Sequence, residues 1–179
     1  LDAELLTTAP ASVAAACGID AMVHALEAYI SKDASPFSDA MAEKALELTG
    51  KNIRSYVADR TNVEAAENML VGSLFAGIAF SWARLGDVHA MSHPVSAFFN
   101  VPHGVANAIL LPTIVDYNAL ADTGKYLKIY NYISQSPISE EEFDSSMLAG
   151  LLQDLNESLG IPAGLEEVGV TEDKFDAMA

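Results

Sequence analysis

The stretch Cys17–Ile30, CGIDAMVHALEAYI, decides how this chain folds. Its apolar residues Ile19, Met22, Val23, Leu26 and Ile30 recur at the period of a helix with one buried face. Asp20, His24 and Glu27 fall together on a neighbouring stripe. Asp20 and His24 stand four residues apart, so on a helix they lie about 40° apart and one turn up. A carboxylate and an imidazole on one helical face are donors of the kind that hold Zn²⁺ or Fe²⁺.

The remaining three of the chain's four histidines sit in GDVHAMSHPVSAFFNVPHG, residues 86–104. His89 and His93 repeat the four-residue spacing, and His103 follows in a rigid Pro-His-Gly turn. A divalent ion held by Asp20 and neutral His24, His89 and His103 would keep a net charge of about +1 and an open coordination position. Such an ion polarises a carbonyl or stabilises an alkoxide. Glu27 lies roughly 10 Å along the helix axis from Asp20, so it is expected to hydrogen-bond a ligand rather than to be one. Asp87 and Asp116 read as solvated cap residues, and Cys17 as a small buried hydrophobe.

Outward from these patches the chain reads as helix after helix. Ser35 followed by Pro36 starts one that runs to about Val57. Asn62 caps another, to about Leu85 with Gly86 as its stop, whose Gly72, Ser73, Ala76 and Gly77 would admit a close neighbour. His89–Ala97 starts a helix with Pro94 in its first turns, and Gly104–Leu111 forms the next, stopped near Pro112. Ser139 with Glu142 forms a capping-box pattern before an apolar run to Leu159, which Gly160 and Pro162 end. Thr171 caps a last helix. No strand series, repeat or Gly-rich phosphate loop is present in this pattern, so the expected fold is a single all-α multi-helix bundle over residues 1–179.

Composition narrows the partners. The 179 residues carry 25 acidic and 9 basic side chains, a formal net charge of −16, which disfavours nucleic acid and anionic membrane surfaces. Val88–Val115 lacks any charged side chain, yet its histidines, asparagines and three prolines suit a protein interior around polar ligands better than a lipid span. A single cysteine and the lack of a basic, apolar leader at LDAELLTTAP point to a cytoplasmic setting.

The strings GIDAMVHALEAYIS, LGDVHAMSHPVSAFFNVPHG and HGVANAILLP resemble the iron-containing (group III) alcohol dehydrogenases, and the likeness continues through IPAGLEEVGV. The resemblance implies a dehydroquinate synthase-like helical domain with Fe²⁺ on Asp20, His24, His89 and His103, and Zn²⁺ as the alternative ion. It implies that His93 is not a ligand but lies beside nicotinamide and substrate in a proton-relay or positioning role. It also implies cofactor contacts from Leu5, Thr8 and Ala9, within a Leu5–Ala9 segment joined by Val13.

In that family an N-terminal α/β nucleotide-binding domain precedes the helical one and binds NAD or NADP. The sequence begins after such a domain and stops before the usual last helices. The expectation is therefore a fragment of a larger two-domain dehydrogenase for small alcohols, diols or aldehydes, a homo-oligomer when whole and inactive as the fragment. NAD(P)H oxidation with a small aldehyde by the fragment alone would contradict this. A helical His/Asp metallohydrolase with metal-activated water is the competing enzyme reading, favoured by phosphatase or amidase activity. A non-enzymatic bundle with buried histidines is the third, favoured by failure to bind metal.

Overall fold

The computed structural model describes residues 1–178, and among the described residues the architecture is all-α. After a short 3₁₀ turn at Ala3–Leu6 come α1 (Ala11–Ile30), α2 (Pro36–Ala58), α3 (Val63–Ala83), α4 (Asp87–Phe99) and α5 (His103–Asn118). They are followed by α6 (Lys125–Ile133), α7 (Ser146–Ser158) and the short α8 (Phe175–Met178).

Helix α1 is the central element, packed by α2, α3 and α5. Ile19, Met22, Leu26 and Tyr29 are fully buried on it, against Leu46 and Ile53 of α2 and Leu111 of α5 within one core. Each such apolar side chain contributes about 1.5–3 kcal/mol. Close approach is achieved by glycine: a Cβ on Gly104 would collide with the backbone carbonyl of Ala16, which seats the start of α5 against α1. Gly72 and Ala76 face the core as expected, with Gly72 against Thr49 of α2, whereas Gly77 has no neighbour close enough to require its lack of a side chain.

Local signals account for most helix ends. Ser35 and Ser38 bond reciprocally, hydroxyl to amide, at the start of α2, and Asn62 Oδ1 accepts the Ala65 N–H at 3.1 Å. Helix α1 starts six residues before Cys17, because Ala11–Ala16 carries strong helix formers behind Pro10. Helix α3 stops at Ala83, not at Leu85: Arg84 takes the left-handed φ of 65° and donates its N–H to Phe80 O at 2.7 Å. Gly86 instead opens α4, where a Cβ would stand 3.0 Å from Glu27 Oε1.

Three departures from the sequence reading concern α4, α5 and α7. Pro94 lies well inside α4 rather than in its first turns. Helix α5 does not stop at Pro112 but continues to Asn118. A proline in that position leaves the carbonyl of Ala108 without its helical partner, and the side chain of Asn156 on α7 donates to it at 2.6 Å. The Ser139–Glu142 pairing forms, with hydroxyl and amide both on Glu142 Oε2, but it closes a turn, and α7 starts only at Ser146. Helix α6 has no counterpart in the sequence reading. It buries Tyr126, Ile129 and Ile133 and is fastened by Glu43 of α2, which accepts from Tyr29, Lys128 and Tyr132.

Candidate metal centre

The face of α1 left uncovered by its neighbours runs Val13, Cys17, Asp20 and His24, all wholly or partly accessible. Cys17 therefore points outward, contrary to the expectation of burial, because it shares a stripe with Asp20 instead of with Ile19 and Met22. Its thiol is nonetheless pushed up, first by partial burial and then by the nearby Asp20.

Three elements bring donors to this stripe. His89 in the first turn of α4 places Nε2 3.6 Å from Asp20 Oδ1. His103, the first residue of α5, places its own Nε2 3.7 Å from the same oxygen. These three donor atoms all lie within 4.8 Å of one another. A tetrahedral cation with bonds of ~2.1 Å separates its ligands by ~3.4 Å, so the spacing fits a divalent ion.

His24 borders this trio rather than joining the tight set. Its ring centroid is 4.3 Å from that of His89, and it stacks on Phe80 of α3 at 4.7 Å. Its Nδ1 bonds the carbonyl of Asp20 at 2.8 Å, which leaves Nε2 as the nitrogen with a lone pair to give. His93 is exposed, with its ring 5.2 Å from His103 and 5.9 Å from His89, at the mouth of the cluster. Leu5 and Thr8 are exposed and Ala9 half-buried, on the N-terminal segment whose 3₁₀ turn packs on α3.

Glu27 behaves as its position on the helix suggested. It is 3% exposed and is not itself one of the converging donors. One oxygen accepts from the Val88 amide at 2.6 Å and the other meets His89 Nδ1 at 2.7 Å. The first bond sets the carboxylate at the positive end of α4, and the second fixes the His89 ring with Nε2 directed at Asp20. Asn107, fully buried one turn after His103, was not singled out from sequence. Its Nδ2 lies 2.5 Å from Asp20 Oδ1 and 3.1 Å from Nε2 of both His89 and His103. The signal was available: four residues along a helix from a candidate ligand is the same face.

The electrostatics suit ligation. Burial alone would raise the Asp20 carboxyl, but bonds from His89 and Asn107 and the neighbouring imidazoles hold it below its ordinary value. Burial lowers His24 and His103 despite the opposing pull of Asp20, which favours the neutral imidazole that a metal needs. His89 is opposite: burial disfavours its charge, yet bonds to Asp20 and Glu27 push it up to about 9. Its Nε2 proton is the one an arriving cation would displace. A cavity of about 820 Å³, lined by Glu27, Lys32 and Asp122 among others, holds none of the histidines and is separate from the donor trio.

Comparison with known proteins identifies the family of the chain. Residues 14–179 match the model of the Fe-containing alcohol dehydrogenase family, C-terminal. The chain is 43% identical over 179 residues to a 1,3-propanediol dehydrogenase of Citrobacter freundii, covering 99% of this chain and 46% of that protein. It superposes on a crystal structure of 1,3-propanediol oxidoreductase with a TM-score of 0.91 at 40% identity, covering 99% of this chain and 47% of that one. A sulfoacetaldehyde reductase from Bifidobacterium kashiwanohense, solved in complex with NAD⁺, gives 0.85 at 29% identity over 99% of this chain and 45% of its own. The chain thus spans about half the length of these relatives. All-α among the described residues and matched from Ala14 onward, the chain belongs to the iron-containing alcohol dehydrogenase family, as that family's C-terminal domain.

Proposed function

We propose that this chain is the metal-bearing helical part of a two-domain, NAD(P)-dependent dehydrogenase that interconverts small alcohols or diols with aldehydes. The convergence of Asp20 Oδ1, His89 Nε2 and His103 Nε2 within 4.8 Å carries the reading. Asp20, His24, His89 and His103 would hold Fe²⁺ or Zn²⁺, which supplies Lewis acidity to the substrate oxygen when bound. The site residues then divide the work. Asp20 lowers the charge of the assembly, Glu27 orients His89, and Phe80 beside His24 presents an apolar wall. His93, exposed beside His103, would pass a proton outward. Leu5, Thr8 and Ala9 would face the nicotinamide cofactor.

The NAD⁺ in the sulfoacetaldehyde reductase complex supports a nicotinamide cofactor for the whole protein. Hydride donor and acceptor react at ~3–3.5 Å, so a chain without the nucleotide-binding half is expected to be inactive alone. The metallohydrolase reading needs a free base near the ion, and both oxygens of Glu27 are engaged. Metal analysis of anaerobically purified chain tests the proposal: about one equivalent of Fe²⁺ or Zn²⁺ is expected, lost in Asp20→Ala. Wild-type chain that takes up neither ion would overturn it.

A further inference from the structure

Helix α4 carries His89 in its first turn, yet its N-cap residue, Gly86, has no side chain with which to cap it. The usual caps, serine, threonine, aspartate and asparagine, accept the amide of the second or third helical residue. In α4 those amides belong to Val88 and His89. The Val88 N–H goes instead to Oε1 of Glu27, sixty-one residues earlier on α1. A side-chain acceptor at position 86 would compete for that same N–H and release the carboxylate. Even a bare Cβ there would intrude, at 3.0 Å from Oε1, 3.4 Å from Cδ and 3.8 Å from Cγ of Glu27. Its three nearest neighbours would all be atoms of that one side chain.

The backbone has little room to relieve the contact. Only Arg84, Leu85 and Gly86 link α3 to α4. Ser31, just past α1, donates to Ala83 O at 2.5 Å, and Arg84, at a φ of 65°, donates to Phe80 O at 2.7 Å. The end of α3 is thus tied to α1, and the displacement falls on the Glu27 side chain. That side chain is buried, and its second oxygen meets His89 Nδ1 at 2.7 Å.

We propose that Gly86 is a positioning residue of the metal centre. By lacking a side chain it leaves both the Val88 amide and the adjoining space to the Glu27 carboxylate, which then fixes the ring of His89. The inference rests on the proposed metal site and extends it to a residue with no side chain to offer an ion. The cap of α4 and the aim of its histidine become one interaction, shared between two helices. A helix capped by its own residue would keep the first and lose the second.

Alanine at position 86 meets no left-handed strain, because φ there is −125°. The test titrates Zn²⁺ into the full chain against a competing chelator, for wild type, Gly86→Ala, Glu27→Ala and the double variant. Gly86→Ala should weaken Zn²⁺ about tenfold, the lower end of what losing the partner of a ligating histidine costs. In the Glu27→Ala background the three atoms nearest that Cβ are gone, so adding Gly86→Ala should change the affinity by less than about twofold. Equal losses in both backgrounds, as a purely structural glycine would give, overturn the proposal, and so does wild-type affinity in Gly86→Ala. If Glu27→Ala does not fold, the His89 Nδ1 proton decides, by NMR of Zn²⁺-loaded wild type and Gly86→Ala. Its resonance lies downfield while the proton is held by a carboxylate and should move upfield in the variant; an unmoved resonance refutes the idea. Failure of the metal site itself looks different, because wild-type chain would then take up no Zn²⁺.

Discussion

Replacing Glu27 by glutamine removes one charge and changes almost no volume, in a side chain that is 3% exposed. The carboxylate now accepts two N–H groups, from Val88 at 2.6 Å and from His89 Nδ1 at 2.7 Å. Glutamine has one acceptor and one donor to offer the same pair. The backbone amide of Val88 cannot move its proton, so the glutamine carbonyl must serve it and the NH₂ must face His89. His89 can accept that bond only by giving up its Nδ1 proton and keeping the one on Nε2, the nitrogen directed at Asp20. Hydrogen bonds to a charged acceptor are worth about 1.5–3 kcal/mol each, and one weakened plus one reversed should cost the chelated chain about 2–4 kcal/mol. Zn²⁺ affinity should fall 10–100-fold, the usual effect of losing the partner of a ligating histidine. Urea unfolding in chelator measures the first quantity, and competitive Zn²⁺ titration the second. A variant that is destabilised yet binds Zn²⁺ within threefold of wild type would refute the claim that Glu27 sets the ring of His89.

Two further outcomes follow from the fold. Asn156→Ala should cost about 1–3 kcal/mol in urea melts by orphaning the Ala108 carbonyl, and Pro112→Ala, which restores an amide at position 112, should recover much of it; effects that add within about 0.5 kcal/mol would show no link between the two. Glu43, held below its ordinary carboxylate value by Tyr29, Lys128 and Tyr132 against the opposing effect of burial, contributes stability that is present above about pH 4.5 and fades as pH falls through its native value. The stability gap between wild type and Glu43→Gln should therefore be widest near neutrality and narrow towards pH 3; a gap independent of pH would contradict the assignment.

Much of this architecture was legible in the residues themselves, and the failures share a cause. Ser35, Asn62 and the apolar period of α1 act within one or two turns, and they gave the right starts and faces. Pro112 misled because its remedy, Asn156, lies on another helix. Ser139 and Glu142 made their local bond, but the bond did not oblige a helix to follow. Cys17 reads as a small buried hydrophobe, whereas its exposure depends on which stripe of α1 the other helices leave open. At the site, four-residue spacing showed that Asp20 with His24, and His89 with His93, could share faces. It could not show that His89 and His103 approach the Asp20 carboxylate while His93 stays at the rim, a distinction only the family resemblance supplied. Asn107 escaped notice because an uncharged amide seldom announces a role before its surroundings are known.

The asparagine on α7 that serves α5 also sets a timetable for biosynthesis. His103, the last of the candidate donors, leaves the ribosome fifty-three residues before Asn156 does. Until that later segment emerges, the carbonyl of Ala108 has only water to bond, and the helix carrying His103 lacks its lateral brace. A nascent chain therefore exposes every candidate donor before it can hold them rigidly, and chains truncated ahead of Asn156 should emerge with the donors complete and the brace missing.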